Sequence, residues 1–327
     1  MPRQDLLRLS ITHRRIPILS IGRDIYLDSR LILQKLEQAF PPSETYPALP
    51  VPSSSSPESA LLEPLLRSSA IDNGIFASGA KLIPTTLPLT KDPKFQKDRA
   101  DFFGPGPGSK EAAAGQVAEA LADIKAHFEL LESTIFSDNR CWVLGTPEEQ
   151  GPSMADIEAV WVLHWLTTLP GALGPKGYIS AEKFPRVFGW IARFDKAVNA
   201  LKKKHKGVQS LVVKGDEAER IIRSAGFNEE DWDKKGVDTT EPIVTALGLE
   251  RGGLVEAWPT DTGVGHRDLG VLVGLDGKEV VIEKVETKGW SGGNVESDGK
   301  GNVRVHLPRH GFRVRAVKAD GGKSSNL

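Results

Sequence analysis

The chain has 327 residues, enough for two or three domains, and its 42 Lys and Arg nearly cancel its 43 Asp and Glu, for a formal net charge of −1. That balance supplies no field to steer it onto nucleic acid or acidic lipid, so neither is expected as a partner. The single cysteine, Cys141, excludes an intramolecular disulfide framework and a cysteine-based zinc site. Met1–Asp5 lacks the apolar core of a secretory leader, and no apolar run approaches the roughly 20 residues of a membrane span, so a soluble, cytoplasmic protein is expected.

In chain order, Ile16–Ser20 and Asp24–Leu27 are apolar runs separated by Gly22-Arg23, a pairing that predicts a tight β-hairpin with Gly22 at positive φ. Asp28 offers a helix N-cap, after which Leu31, Ile32, Leu36 and Phe40 form one apolar stripe. Residues 41–60 are dominated by Pro and Ser, which remove backbone donors or compete for them, and read as a surface linker. A second break falls at Gly104–Gly108.

Beyond Ser109, a helix N-cap, Val117, Leu121, Ile124, Phe128, Leu131 and Ile135 recur at helical spacing. Ser153-Met154-Ala155-Asp156 is a capping box, followed by Ile157, Val160, Trp161, His164 and Trp165 on one face. Pro185 suits a first helical turn ahead of Val187, Ile191, Phe194, Val198 and Leu201, and a further helix is predicted from Asp216 to about Ala225. From about Gly248 the helical period yields to alternation. Strands are expected at Gly270–Leu275, Glu279–Glu283, Asn302–Leu307 and Phe312–Val317, with Asp276-Gly277 as a hairpin turn. The expected architecture is α+β and multidomain: a hairpin-plus-helix segment at 1–40, the linker at 41–60, a helical domain at 61–240, a small antiparallel β-barrel or sandwich at 248–319, and a disordered tail at 320–327.

A proline entering the first hairpin strand (Arg15-Ile16-Pro17-Ile18-Leu19), an acidic-Ser pair opening the next helix (Asp28-Ser29) and the capping box Pro152–Ile157 come in an order that resembles a glutathione S-transferase. The resemblance is to a fungal-type branch with a β domain after the helices. It implies a cis bond before Pro17, a thioredoxin-like origin for the hairpin, and glutathione as co-substrate. Ile16 and Pro17 would meet the cysteinyl backbone of glutathione, and Asp28 and Ser29 its γ-glutamyl end. Physically, an exposed Ile16 backbone offers a strand-addition contact, and a helix N-terminus at Ser29 offers free amides to a carboxylate. The implied activity is conjugation or isomerisation of a small electrophile, with Phe102, Phe103 and Trp161 as a guess at an apolar pocket between domains and a homodimer as the assembly. No metal is expected.

The departure from the family lies upstream. A βαβ unit takes roughly 30 residues, but only Met1–Arg15 precede the hairpin, with Gln4–Ser10 matching a short helix. The family's catalytic Ser, Tyr or Cys lies in the turn that has no counterpart here, so no catalytic residue is assigned. The sequence either starts downstream of the gene's true start or is a natural variant without the activating group. The alternative to an enzyme is therefore a non-catalytic binding or scaffold protein on a vestigial transferase fold. Without its parallel neighbour the hairpin is expected to leave Ile16, Ile18 and Ile25 short of cover.

Other motifs read blandly. Asp261-Thr262-Gly263 matches the aspartic-protease tripeptide, but it follows Trp258-Pro259-Thr260 rather than a buried strand and has no second copy, which predicts a turn. His306 and His310 flank Pro308, which forbids the helix that would unite them on a metal, and His266 is isolated. Gly104–Gly108 with Ser109-Lys110 lacks phosphate-loop spacing. His164 is expected in the core with one nitrogen satisfied, and Cys141 is expected to be buried. Lys202-Lys203-Lys204-His205-Lys206 is expected to end a helix and complement its dipole. The terminal Ser325-Asn326-Leu327 differs by one residue from a peroxisomal address.

Overall fold

A computed structural model describes residues 3–43, 49, 56–104, 109–204, 206, 211–284 and 301–317. The elements in order are α1 (Gln4–Leu7), β1 (Ile18–Ile21), β2 (Asp24–Leu27), α2 (Ser29–Ala39), α3 (Pro57–Ile71), α4 (Ile75–Lys81), α5 (Pro93–Phe103), α6 (Lys110–Ser133), α7 (Met154–Thr167) and α8 (Pro185–Lys204). There follow α9 (Gly215–Ser224), α10 (Trp232–Lys235), α11 (Pro242–Leu247), β3 (Leu254–Pro259), β4 (Asp268–Leu275), β5 (Glu279–Glu283), β6 (Arg304–Pro308) and β7 (Phe312–Ala316). Two compact units result. One groups Met1–Phe40, Lys97–Pro105 and Leu211–Leu327; the other groups Pro41–Gln96 and Gly106–Ser210.

The first unit is built on one seven-stranded sheet in the order β1-β2-β6-β5-β4-β3-β7. The separate β domain expected at 248–319 is therefore corrected: its strands continue the sheet begun by the N-terminal hairpin. The joint is a parallel pairing of Asp24, Ile25 and Tyr26 with Arg304, Val305 and His306, and every other pairing is antiparallel. Alternation along the strands explains it. Ile25, Leu27, Val305, Leu307, Val280 and Ile282 face one side and join Val255, Leu272 and Val314 in a single apolar core. Tyr26 faces the other side, where Leu31 and Ile32 of α2 pack on it.

The hairpin is thus not short of cover as a whole. Ile25 is 1% exposed, whereas Ile16 is 66% exposed and Ile18 is half-buried. Gly22 makes the hairpin turn at φ +59°, and a Cβ there would lie 2.3 Å from the Gly226 carbonyl oxygen, so the turn needs glycine on both counts. His13 stacks on Phe312 and the Arg15 guanidinium lies 5.5 Å from the same ring. Phe312 sits on the outer strand β7, and Arg15 leads into the opposite outer strand β1. The sheet is therefore curled into a partly closed barrel around its core.

The second unit is helical. Ile124, Phe128 and Leu131 of α6, Val160 and Leu163 of α7, and Val187, Trp190 and Ile191 of α8 share one core. Ser109 caps α6 by accepting the Ala112 N–H at 3.1 Å. The capping box at Ser153 is formed, and its Asp156 is fully buried. Asp156 accepts the Ser153 N–H and hydroxyl at 2.9 and 2.8 Å, the Val143 N–H at 2.8 Å and the Trp190 indole N–H at 2.9 Å, so one carboxylate ties the start of α7 to α8 and the preceding loop.

Several boundaries move. The linker ends at Ser56, which accepts the Ser59 N–H and with Pro57 at the first turn starts α3; residues 44–48 and 50–55 lie outside the described residues, as do 105–108 of the second break. The helical domain expected at 61–240 gives up Lys97–Pro105 and everything from Leu211 to the sheet unit, because Ile222 of α9 packs on the sheet core and Asn228 and Glu229 bond to Asp24. The tail at 320–327 lies outside the described residues. His164 is not a core residue but half-exposed, 3.4 Å from Asp195, and Cys141 is also only half-buried.

Candidate ligand site at the end of the hairpin

The pairing of Ile18 with Leu27 fixes what lies beyond the ladder. Beyond that last pair one strand is preceded by Ile16-Pro17 and the other is followed by Asp28-Ser29, so the two expected motifs flank one end of the hairpin. The Ile16–Pro17 bond is cis. Ile16 lies just before the outer strand β1, and its N–H and C=O have no hydrogen-bond partner among the described residues.

Across from it, α2 begins. Asp28, at φ +72°, is its N-cap, and its carboxylate accepts the Arg30 N–H at 3.0 Å. That bond occupies one of the donors a ligand carboxylate would use, while Ser29 is exposed in the first turn. Two residues given no ligand role from the sequence complete the site. Arg15 is ion-paired with Asp261, and burial lowers its pKa against the opposing pull of Asp261 and Asp28. The site therefore offers an unpaired strand edge, a helix start and a guanidinium set between two carboxylates, an arrangement suited to a zwitterionic, peptide-like ligand.

Asp261-Thr262-Gly263 is a bend, as expected, although a strand (β3) does precede it; its aspartate serves Arg15. Behind the site, Arg14 bonds to Asp98, Asp101 and His266, which joins the end of α5 to the sheet unit. His13 is buried, and desolvation lowers its pKa to about 4 despite the nearby Asp268.

The three pocket residues fall in different units. Phe102 packs on Arg14, Arg99 and Gly263, and Phe103 meets it edge-on, both in the sheet unit. Trp161 packs against Phe76 in the helical unit.

Sequence reasoning missed a buried charged network between the sheet and α2. His306, fully buried, donates from Nδ1 to Glu279 at 2.5 Å and from Nε2 to Asp24 at 2.8 Å. Burial alone would lower its pKa, but these two carboxylates outweigh burial and hold it above its ordinary value. Lys35 of α2 donates to Glu229 at 2.8 Å and to Glu279 at 3.0 Å. Tyr26 donates its hydroxyl to Glu229 at 2.7 Å, and Trp232 donates to the same carboxylate at 3.0 Å. Glu229, Glu279 and His306 bring ligand-type atoms within 4.8 Å of one another, but the Lys35 ammonium already answers both glutamates. The network ties β2, β5, β6 and α2 together through buried charge.

The fold resembles that of a GST-like protein from Pseudomonas syringae, with TM-score 0.61, 21% sequence identity, and coverage of 97% of this chain and 86% of that one. A domain of unknown function, DUF7962, matches residues 78–203. No curated protein matches the chain. Among the described residues, no helix is long and apolar enough to cross a membrane.

Proposed function

We propose that this chain is a glutathione transferase-like protein that holds glutathione at the end of its hairpin and joins it to, or isomerises with it, a small electrophile. The reading is supported by the end of the hairpin ladder at Ile18 and Leu27, which leaves the Ile16 backbone and the start of α2 flanking the same end. In this reading the Ile16 N–H and C=O pair with the cysteinyl backbone of glutathione, with Pro17 fixing the approach. Ser29 and the first amides of α2 receive the γ-glutamyl carboxylate, and Asp28 faces its ammonium group. Arg15 and Asp261 complete the charge pattern. Phe102 and Phe103 remain the proposed apolar contacts for the second substrate, and the cytoplasm the proposed location, with a homodimer as the proposed assembly.

The alternative, a non-catalytic binding or scaffold protein on a vestigial transferase fold, is favoured by the Asp28 carboxylate, which already caps the Arg30 N–H of its own helix. Calorimetric titration of glutathione into wild type and Ser29→Ala, with turnover of a chlorinated aromatic substrate measured in parallel, separates the readings. Binding weakened about tenfold in the variant, with turnover, is expected for the transferase. Binding without turnover supports the alternative. Equal affinity of both proteins removes Ser29 from the site.

A further inference from the structure

The helical unit carries a cleft of about 660 Å³, within the size range of small-molecule sites, at the junction of the end of α6, the loop after it and the start of α8. Four cations line it, Arg140, Lys183, Arg186 and Arg193, against two carboxylates, Glu132 and Glu182. The carboxylates offset part of that charge. Glu132 accepts the Arg186 and Val187 N–H groups at 3.1 and 2.9 Å and lies 3.6 Å from the Arg186 guanidinium, so its charge is taken up at the first turn of α8. Arg140 is held in a fork by Asp138, outside the cleft, at 2.7–3.1 Å.

Lys183 and Arg193 are different. Neither has a carboxylate partner among the described residues, and their hydrogen bonds run to the carbonyls of Tyr178 and Cys141. A half-buried guanidinium whose charge is met only by a carbonyl keeps donors for an incoming anion, and an ammonium lining the same cleft adds a second cation for phosphoryl oxygens. The cleft is far larger than a bare phosphate, so the ligand carries an organic part.

We propose that this cleft binds a small phosphorylated organic anion, with Arg193 and Lys183 as the principal phosphoryl contacts and Arg186 at the rim. The site is independent of the glutathione reading, since all its residues lie in the helical unit.

Calorimetric titration of the full chain with phenyl phosphate, and with phenol as the uncharged control, tests it. One site per chain is expected for phenyl phosphate, weakened by added salt, and none for phenol. Lys183→Met and Arg193→Met should each weaken binding at least threefold with an unchanged circular dichroism spectrum. Lys183 is exposed and its hydrogen bond to the Tyr178 carbonyl is long, so its variant keeps the test readable even where Arg193→Met loosens the Cys141 loop. Absence of binding at millimolar phenyl phosphate, or a loss below threefold in Lys183→Met, overturns the proposal.

Discussion

Replacing His306 by leucine probes the joint on which the sheet depends. The imidazolium makes two charge-assisted hydrogen bonds, to Asp24 and Glu279, both largely or wholly buried. Each such bond contributes about 1.5–3 kcal/mol, and breaking a buried ion pair costs about 3–5 kcal/mol. Asp24 would keep the Asn228 and Glu229 N–H groups and Glu279 would keep Lys35, so the lower part of that range applies, about 3 kcal/mol at pH 6. The pH dependence has a definite sign. His306 titrates above its ordinary 6.5 in the folded chain, so its contribution is complete below pH 6.5 and is lost as pH rises through the folded value. The gap between wild type and His306→Leu should therefore shrink from pH 6 toward pH 9. Asp24, Tyr26, Lys35, Glu229 and Glu279 all face this histidine, and of these Asp24 and Glu229 titrate below their ordinary range, so their own loss belongs to acid pH. Because the chain forms two compact units, amide exchange across β5 and β6 in the folded protein is the assay of choice. A loss under about 1 kcal/mol at pH 6, or a gap that widens with pH, would refute the reasoning.

Two further outcomes follow from the same geometry. Burial lowers the His13 pKa from 6.5 to about 4, so the sheet unit should lose up to about 3 kcal/mol as pH falls through that interval; urea unfolding of His13→Leu should lack this acid loss, and an unchanged slope would count against it. Asp156→Ala strips the partner from the buried Trp190 indole and from the Val143 and Ser153 amides, and should destabilise the helical unit by about 3–4 kcal/mol, read from Trp190-sensitive near-ultraviolet circular dichroism.

What was legible in the sequence was local. The Gly22 turn, the Asp28 cap and the Ser153 capping box each depend on residues a few positions apart, and each forms where the pattern set it. The joining of β2 to β6 was not legible, because Asp24 and His306, hydrogen-bonded across the joint, lie 282 positions apart and no local periodicity encodes a contact of that range. The alternation of Asp24, Tyr26, Arg304 and His306 with apolar residues was the available signal for a polar sheet face. Such a face is ordinarily solvated, and here α2 with Lys35 covers it. Ile16, Pro17, Asp28 and Ser29 were visible as motifs in order, but Arg15 acquires its meaning only when the curl of the sheet carries Asp261 to it.

The ligand reading is tested most directly by backbone amide chemical shifts during titration with glutathione. The account predicts saturable shifts at the amides of Ile16, Ser29 and Leu31, with the β3 to β6 amides unmoved. Saturable shifts confined to other residues, or none, would contradict it.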